Sequence, residues 1–130
     1  MYKINHPKTM KKLLKSFSYA WQGMVFAYRT QQNFRIEILL ALTVTIAAIV
    51  FQVSNTEWII ICINIFLVLS LELINTALEN TCNLYSTNIN PTIKIIKDTA
   101  AAAVLLVAIG SFVCASIIFL PKLINLYYEK

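Results

Sequence analysis

The chain has 130 residues, of which 58% are hydrophobic and 13% are charged, and its formal net charge is +5. A soluble domain of this size has too few polar residues to cover so much apolar surface, so the composition excludes an ordinary soluble protein and predicts a single membrane domain over residues 1–130. The two glycines, Gly23 and Gly110, cannot form a glycine-rich phosphate loop, which excludes a Walker-type nucleotide site.

Positive charge is concentrated at the N-terminus, where five of the first fifteen residues are lysines: Lys3, Lys8, Lys11, Lys12 and Lys15. Because apolar segments follow, a surface facing anionic lipid explains this cluster better than a nucleic-acid site. Within residues 9–31, apolar side chains recur at three- and four-residue steps opposite the lysines. This pattern predicts an amphipathic helix on the membrane surface, with a helix packed only against protein as the alternative.

The chain continues with apolar segments that predict membrane-spanning helices at about 34–53, 58–80 and 99–120. The last of these has 22 residues and would rise about 33 Å as a helix, enough to cross the hydrocarbon core. Pro121 is expected to end it. Residues 54–57 are expected to form a short turn, and residues 83–97 a polar connection broken at Asn90 and Pro91.

The placement of lysines predicts the orientation of these spans. The basic N-terminus and the connection that carries Lys94 and Lys97 are expected on the inside of the membrane, because loops rich in lysine and arginine stay on that side. The turn at 52–57 has neither residue and is expected outside.

Acidic residues are rare, and four of the six fall at the inner ends of the predicted spans: Glu37, Glu72, Glu79 and Asp98. Ionisable groups at membrane depth are costly and suggest function by default. In helical geometry one stripe of the second span carries Glu72, Asn75, Thr76, Glu79 and Asn83, since steps of three, four, seven and eleven residues return to the same face.

The spacing along this stripe limits what its carboxylates can do together. Glu72 and Glu79 are about 10.5 Å apart along the helix axis, too far to share one metal ion. A metal at Glu79 therefore needs a second carboxylate from another helix, and Glu37 is the candidate. Oxygen ligands without nearby His or Cys indicate Mg²⁺ held jointly with a phosphate substrate. The alternative is a noncatalytic membrane protein, such as a pore-former or an assembly subunit, in which the stripe joins helices by hydrogen bonds.

Three separated motifs carry a family resemblance. Residues 72–79, ELINTALE, resemble the ExxNTAxE signature of the prokaryotic diacylglycerol kinase family, which includes undecaprenol kinases. Residues 33–37, NFRIE, resemble the family's start of the first span, and residues 97–105, KDTAAAAVL, its start of the third. Residues 12–23 resemble its surface helix, and residues 29–36 are slightly closer to the undecaprenol branch. The chain departs from the family at Asn83, where Asp is frequent, and in the loop at 85–91.

The resemblance implies a small integral membrane kinase with three spans per subunit, in the inner membrane of a bacterium with its N-terminus inside. It implies a homotrimer with sites at subunit contacts, which uses Mg²⁺ to transfer the ATP γ-phosphoryl group to a lipid alcohol, diacylglycerol or undecaprenol. Each motif residue then has an expected role. Carried over by position, these are Glu72 as general base, Asn75 as support of the phosphates and the base, Glu37 and Glu79 as metal ligands, Lys97 at the phosphates, Asp98 at the nucleoside and Lys12 near the nucleotide.

Overall fold

The computed structural model describes residues 6–85 and 90–128, and these residues form four α-helices and no strand. The helices are α1 (His6–Thr30), α2 (Gln32–Val50), α3 (Asn55–Tyr85) and α4 (Pro91–Tyr128). Helices α2, α3 and α4 are each long and apolar enough to cross a membrane. The predicted all-α membrane fold, with three such helices after an N-terminal one, is confirmed. Lys3 and residues 86–89 of the predicted connection lie outside the described residues.

A single extended residue separates α1 from α2. Gln31 has φ −107° and ψ 120°, while its N–H still donates to the Ala27 carbonyl at 2.8 Å. The large apolar side chains of α1 are exposed, among them Leu14, Phe17 and Trp21, and of residues 10–30 only Ala27 is buried. Helix α1 therefore contacts the remainder of the protein near its C-terminal end and leaves its large apolar side chains exposed.

The turn between α2 and α3 lies over the apolar core of the protein. Gln52 takes a left-handed conformation with φ 49°, which reverses the chain direction. Beneath the turn lie four buried residues from three segments of the chain: Ala48, Val53, Ile61 and Ile118. Helix α3 then begins with a capping box. The Ser54 N–H donates to Glu57 Oε2 at 2.7 Å, and the Glu57 N–H donates to Ser54 Oγ at 3.3 Å. We call this region the turn end.

Helix α4 does not end at Pro121, contrary to expectation, but continues to Tyr128. A proline removes one backbone hydrogen bond, and membrane helices tolerate that loss where neighbouring groups hold the helix. Here the Lys122 ammonium pairs with the Glu57 carboxylate of α3 at 3.2 Å. The Phe119 ring also packs edge-on against Phe51, with ring centroids 6.0 Å apart. These contacts fix the helix on both sides of the proline.

The predicted polar connection at 83–97 is also wrong in extent, because α3 continues to Tyr85 and α4 begins at Pro91. The Asn90 side chain caps α4: its Oδ1 accepts hydrogen bonds from the N–H groups of Thr92 at 2.9 Å and Ile93 at 3.4 Å. Proline suits the first helical position, so Asn90 and Pro91 start a helix rather than interrupt a loop. Lys94, Lys97 and Asp98 consequently lie on helical turns.

Helices α3 and α4 are joined by a polar contact within their apolar segments. Ser111 Oγ donates to Asn64 Oδ1 at 2.9 Å, and Asn64 Nδ2 donates to the Ile60 carbonyl at 2.9 Å. Such hydrogen bonds fix the register of two membrane helices. Large apolar side chains remain exposed along all three candidate spans, as expected of surfaces that face lipid or other apolar helices.

Candidate active site

The polar stripe of α3 faces the interior of the protein. Glu72, Asn75 and Thr76 are 2%, 6% and 4% exposed, whereas Glu79 is half-buried and Asn83 is exposed. Exposure therefore increases along the stripe toward the C-terminal end of α3. We call the region of Glu37, Glu72, Asn75 and Glu79 the acidic end; it lies at the opposite end of α3 from the turn end.

Three acidic residues lie at this end of the protein. Glu72 is close enough for like-charge repulsion with Glu37 of α2 and with Glu79, so it is the shared electrostatic neighbour of both. Glu37 is half-buried and lines an apolar cavity of about 230 Å³ between α2, α3 and α4. Its Oε2 atom is buried and has no hydrogen-bond partner among the described residues. Uncompensated acidic groups in an apolar setting are costly unless a cation or a donor joins them.

Asn75 adds a further oxygen at the same place. Its Nδ2 donates a long hydrogen bond of 3.4 Å to Glu79 Oε1, which directs the amide toward the carboxylates. Its Oδ1 is buried and, within the described part of the chain, has no partner. The amide is therefore oriented by Glu79 while its acceptor oxygen remains free for a ligand.

These residues fit Mg²⁺ by the chemistry of their donors. The free atoms at the acidic end are carboxylate and amide oxygens, the donors that a hard divalent cation prefers. The described residues contain no group of three or more His, Cys, Asp and Glu placed to hold a metal alone. A Mg²⁺ ion here would therefore need substrate phosphates and water in addition to one or two carboxylates.

Of the remaining predicted site residues, two lie on the first turns of α4. The Lys97 ammonium donates to Asn83 Oδ1 at 2.7 Å and so connects the start of α4 to the end of the α3 stripe. Asp98 forms an ion pair with Lys94 in which both side chains are mostly exposed. Lys12 lies apart from the others, on the exposed surface of α1. Its backbone carbonyl accepts a hydrogen bond from Ser16 Oγ at 3.0 Å.

The ion pair between Lys94 and Asp98 was not predicted, although both residues were noted in the sequence. Lys94 and Asp98 are four residues apart, the spacing of a helical ion pair, and this signal was obscured because the segment was expected to be a loop. Asn83 was noted as a departure from the family. In the structure its uncharged side chain accepts the hydrogen bond from the Lys97 ammonium. A neutral partner leaves the charge of Lys97 uncompensated, whereas an aspartate would oppose it.

Comparison with known proteins agrees with the three motifs. The family model described as prokaryotic diacylglycerol kinase matches residues 18–119. Undecaprenol kinase of Bacillus subtilis is 38% identical over 119 residues, which cover 92% of this chain and 97% of that protein. Diacylglycerol kinase of Synechocystis is 39% identical over 115 residues, 88% of this chain and 66% of that protein. A diacylglycerol kinase of Helicobacter pylori is 31% identical over 99 residues, 76% of this chain and 77% of that protein.

These matches confirm the predicted family and enzyme class, and they argue against the noncatalytic alternative. The chain belongs to the prokaryotic diacylglycerol kinase family of membrane lipid kinases.

Proposed function

We propose that this protein transfers the γ-phosphoryl group of ATP to the hydroxyl of a membrane lipid alcohol, diacylglycerol or undecaprenol, with Mg²⁺ as cofactor. The observation that carries the proposal is the acidic end, where Glu72 lies beside Glu37 and Glu79 and the buried oxygens of Glu37 and Asn75 have no partner among the described residues. Chains similar to this one bear the names of both lipid kinases.

In the proposed reaction the lipid oxygen attacks the γ-phosphorus while the bond to the β–γ bridging oxygen breaks. The products are a lipid monophosphate and ADP, and Glu72 accepts the proton of the hydroxyl. A buried carboxylate next to other acidic groups suits proton acceptance, provided that the hydroxyl comes within hydrogen-bond reach. Because the transition state of phosphoryl transfer is loose, the remaining task of the protein is to position the substrates and to balance charge.

Glu37 and Glu79 would hold the metal, one from α2 and one from α3. A bound Mg²⁺ supplies charge neutralisation at the transferring phosphoryl group. Asn75 would keep Glu79 oriented through its Nδ2 group, and its free Oδ1 would accept a hydrogen bond from metal-bound water.

The basic residues at the start of α4 would bind the nucleotide. Lys97 would contact the phosphates, since its neutral partner Asn83 leaves its charge available. Asp98 would contact the nucleoside, for which it would have to leave its exposed pairing with Lys94. Exposed ion pairs contribute little to stability, so the loss of the Asp98–Lys94 pair would cost little free energy. Lys12 would approach the nucleotide from α1.

The same proposal includes the setting of the enzyme. The chain would act as one membrane domain in the bacterial inner membrane, with the N-terminus and the acidic end at the cytoplasmic face, where ATP is available. It would assemble as a homotrimer with sites at subunit contacts. The exposed apolar side chains of α2, α3 and α4 leave ample surface for neighbouring subunits as well as for lipid.

The test is a phosphorylation assay with purified protein in mixed micelles, with Mg·ATP and with diacylglycerol and undecaprenol in parallel. We expect one of the two alcohols to be phosphorylated with the higher kcat/KM, and no turnover when EDTA removes the metal. A noncatalytic protein would phosphorylate neither alcohol and would bind no Mg·ATP. That result would overturn the proposal.

A further inference from the structure

The last turns of α4 carry an apolar surface that has no role in the site described above. Residues 121–128 continue the helix from Pro121, and they lie beyond residues 18–119, the part of the chain that carries the family match. We call one set of exposed side chains in this segment the terminal apolar face: Leu123, Ile124, Tyr127 and Tyr128.

The four side chains share one side of the helix. Leu123 and Tyr127 are four residues apart, and so are Ile124 and Tyr128, which places the two pairs on adjacent strips of the helix surface. The Tyr127 and Tyr128 rings also meet edge to face, with their centroids 5.7 Å apart. The terminal apolar face is therefore one continuous surface and not a set of scattered apolar residues.

The opposite side of the same turns is directed toward the protein. Lys122 pairs with Glu57 of α3 at 3.2 Å, and it follows the buried Ile118 by four residues. Asn125 follows Lys122 by three residues and so lies on nearly the same side. The segment is thus amphipathic, with polar groups toward α3 and the terminal apolar face turned away from it.

The terminal apolar face continues the exposed side of the candidate membrane span. Ile117, Leu120 and Ile124 follow one another at steps of three and four residues, so they form a single line along α4. All three side chains are exposed. Whatever surrounds α4 at Ile117 and Leu120 therefore also reaches Ile124, and for a helix that crosses a membrane this surrounding is lipid.

The depth of the segment specifies which part of the bilayer it meets. Residues 99–120 rise about 33 Å and fill the hydrocarbon core of roughly 30 Å, so residues 121–128 begin where the hydrocarbon ends. They rise about 12 Å more, whereas the headgroup layer on each side is about 5–8 Å thick. In an upright helix the two tyrosines would stand in water. A tilt of α4 or a bend at Pro121 keeps them in the headgroup layer.

We propose that the terminal apolar face binds the lipid interface on the side of the membrane opposite the acidic end. The apolar side chains would lie against the acyl chains, and the hydroxyls of Tyr127 and Tyr128 among the headgroups, the layer in which tyrosine is enriched. The inference requires only that α4 crosses the membrane, so it holds or fails independently of the proposed reaction.

The first experiment uses the unaltered protein in phosphatidylcholine vesicles. Hydroxyl radicals generated in water oxidise tyrosine rings that water reaches, and mass spectrometry gives the rate for each ring. Tyr85 is the matched reference, because it is 84% exposed in the protein alone, against 78% for Tyr127 and 80% for Tyr128. We expect Tyr127 and Tyr128 to be oxidised several-fold more slowly than Tyr85. Equal rates for the three rings would place the terminal apolar face in water and overturn the proposal.

The second experiment distinguishes lipid from a second copy of the chain. With Trp21→Phe and Trp58→Phe removing the two native tryptophans, Tyr127→Trp becomes the reporter. Bromine attached to the acyl chains near the glycerol should quench its fluorescence several-fold more than bromine at the chain ends. Phe112→Trp in the same background is the control, since Phe112 is exposed within the span and should show the reverse order. If neither lipid quenches Tyr127→Trp while Phe112→Trp responds, protein covers the terminal apolar face and the proposal is wrong. If the background does not fold, the oxidation rates of the unaltered protein decide.

Discussion

The two ends of α3 differ in how completely their polar groups are satisfied. At the turn end, Glu57 accepts from the Ser54 N–H and pairs with Lys122, above a core that includes Ile61 and Ile118. At the acidic end, Glu37, Asn75 and Thr76 each keep a buried polar atom that has no partner within the described ranges 6–85 and 90–128.

Under the proposed function, this difference separates a region that serves stability from a region that serves chemistry. Satisfied polar groups and packed apolar side chains hold the helices together at the turn end. Buried donors and acceptors without partners weaken the fold and are retained where a ligand completes them. Substitutions at the two ends should therefore affect different measurements.

The largest expected effect is at Glu72. Glu72→Gln keeps the size of the side chain and removes the proposed base, so kcat should fall by roughly 10²- to 10⁴-fold. The measurement is the initial rate in mixed micelles with saturating Mg·ATP. Glu57→Gln at the turn end is the matched control and should retain the turnover of the wild type. Full activity of Glu72→Gln would exclude Glu72 as the base.

The metal ligands should give the next largest effect. Glu37→Gln and Glu79→Gln should each raise the Mg²⁺ concentration for half-maximal activity at least roughly tenfold, since losing even a residue that supports a ligand commonly costs that much. A Mg²⁺ titration at fixed ATP measures the shift. An unchanged Mg²⁺ requirement in either variant would remove that residue from the proposed metal site.

A core substitution tests the turn end. Ile118→Ala leaves a space beside Ala48 and Val53, and the free energy of unfolding should fall by about 2 kcal/mol. Denaturant titration in micelles measures this loss, while kcat per folded molecule should stay at the wild-type value. A large decrease in kcat without loss of stability would contradict the division between the two ends.

The smallest expected effect is at Asn83. Asn83→Leu removes the acceptor that holds the Lys97 ammonium, and the KM for ATP should rise roughly two- to five-fold. Lys97→Met removes the charge itself and should raise this KM further. Steady-state kinetics with ATP as the varied substrate distinguish the two. If Asn83→Leu altered kcat alone, Asn83 would not act by positioning Lys97 for ATP binding.

The helices and the family were predictable because their signals are local in the sequence. Apolar runs long enough to span a bilayer specify α2, α3 and α4, and the ELINTALE motif specifies the family. The error at Pro121 arose because the contacts that sustain α4 there come from Phe51 and Glu57, which are distant in sequence. Contacts between residues so distant in sequence become visible only in the folded structure.

The candidate site was predictable in part. Helical periodicity alone places Glu72, Asn75, Thr76 and Glu79 on one face, and the structure shows which of them are buried. Periodicity could not show that the Thr76 hydroxyl forgoes the usual bond to the backbone, because that depends on the side-chain rotamer and on the neighbouring α1. The roles of these residues remain predictions.

The length of α4 bears on how the two proposed substrates would approach. Its 38 residues rise about 57 Å, more than the roughly 40–45 Å of a bilayer with its headgroups. With residues 99–120 in the hydrocarbon, the turns that carry Lys94 and Lys97 would lie in the headgroup layer, about 3 to 8 Å beyond the hydrocarbon and next to the water. A water-borne nucleotide and a membrane-bound alcohol would then arrive by separate routes, so neither would have to leave its own phase before reaction.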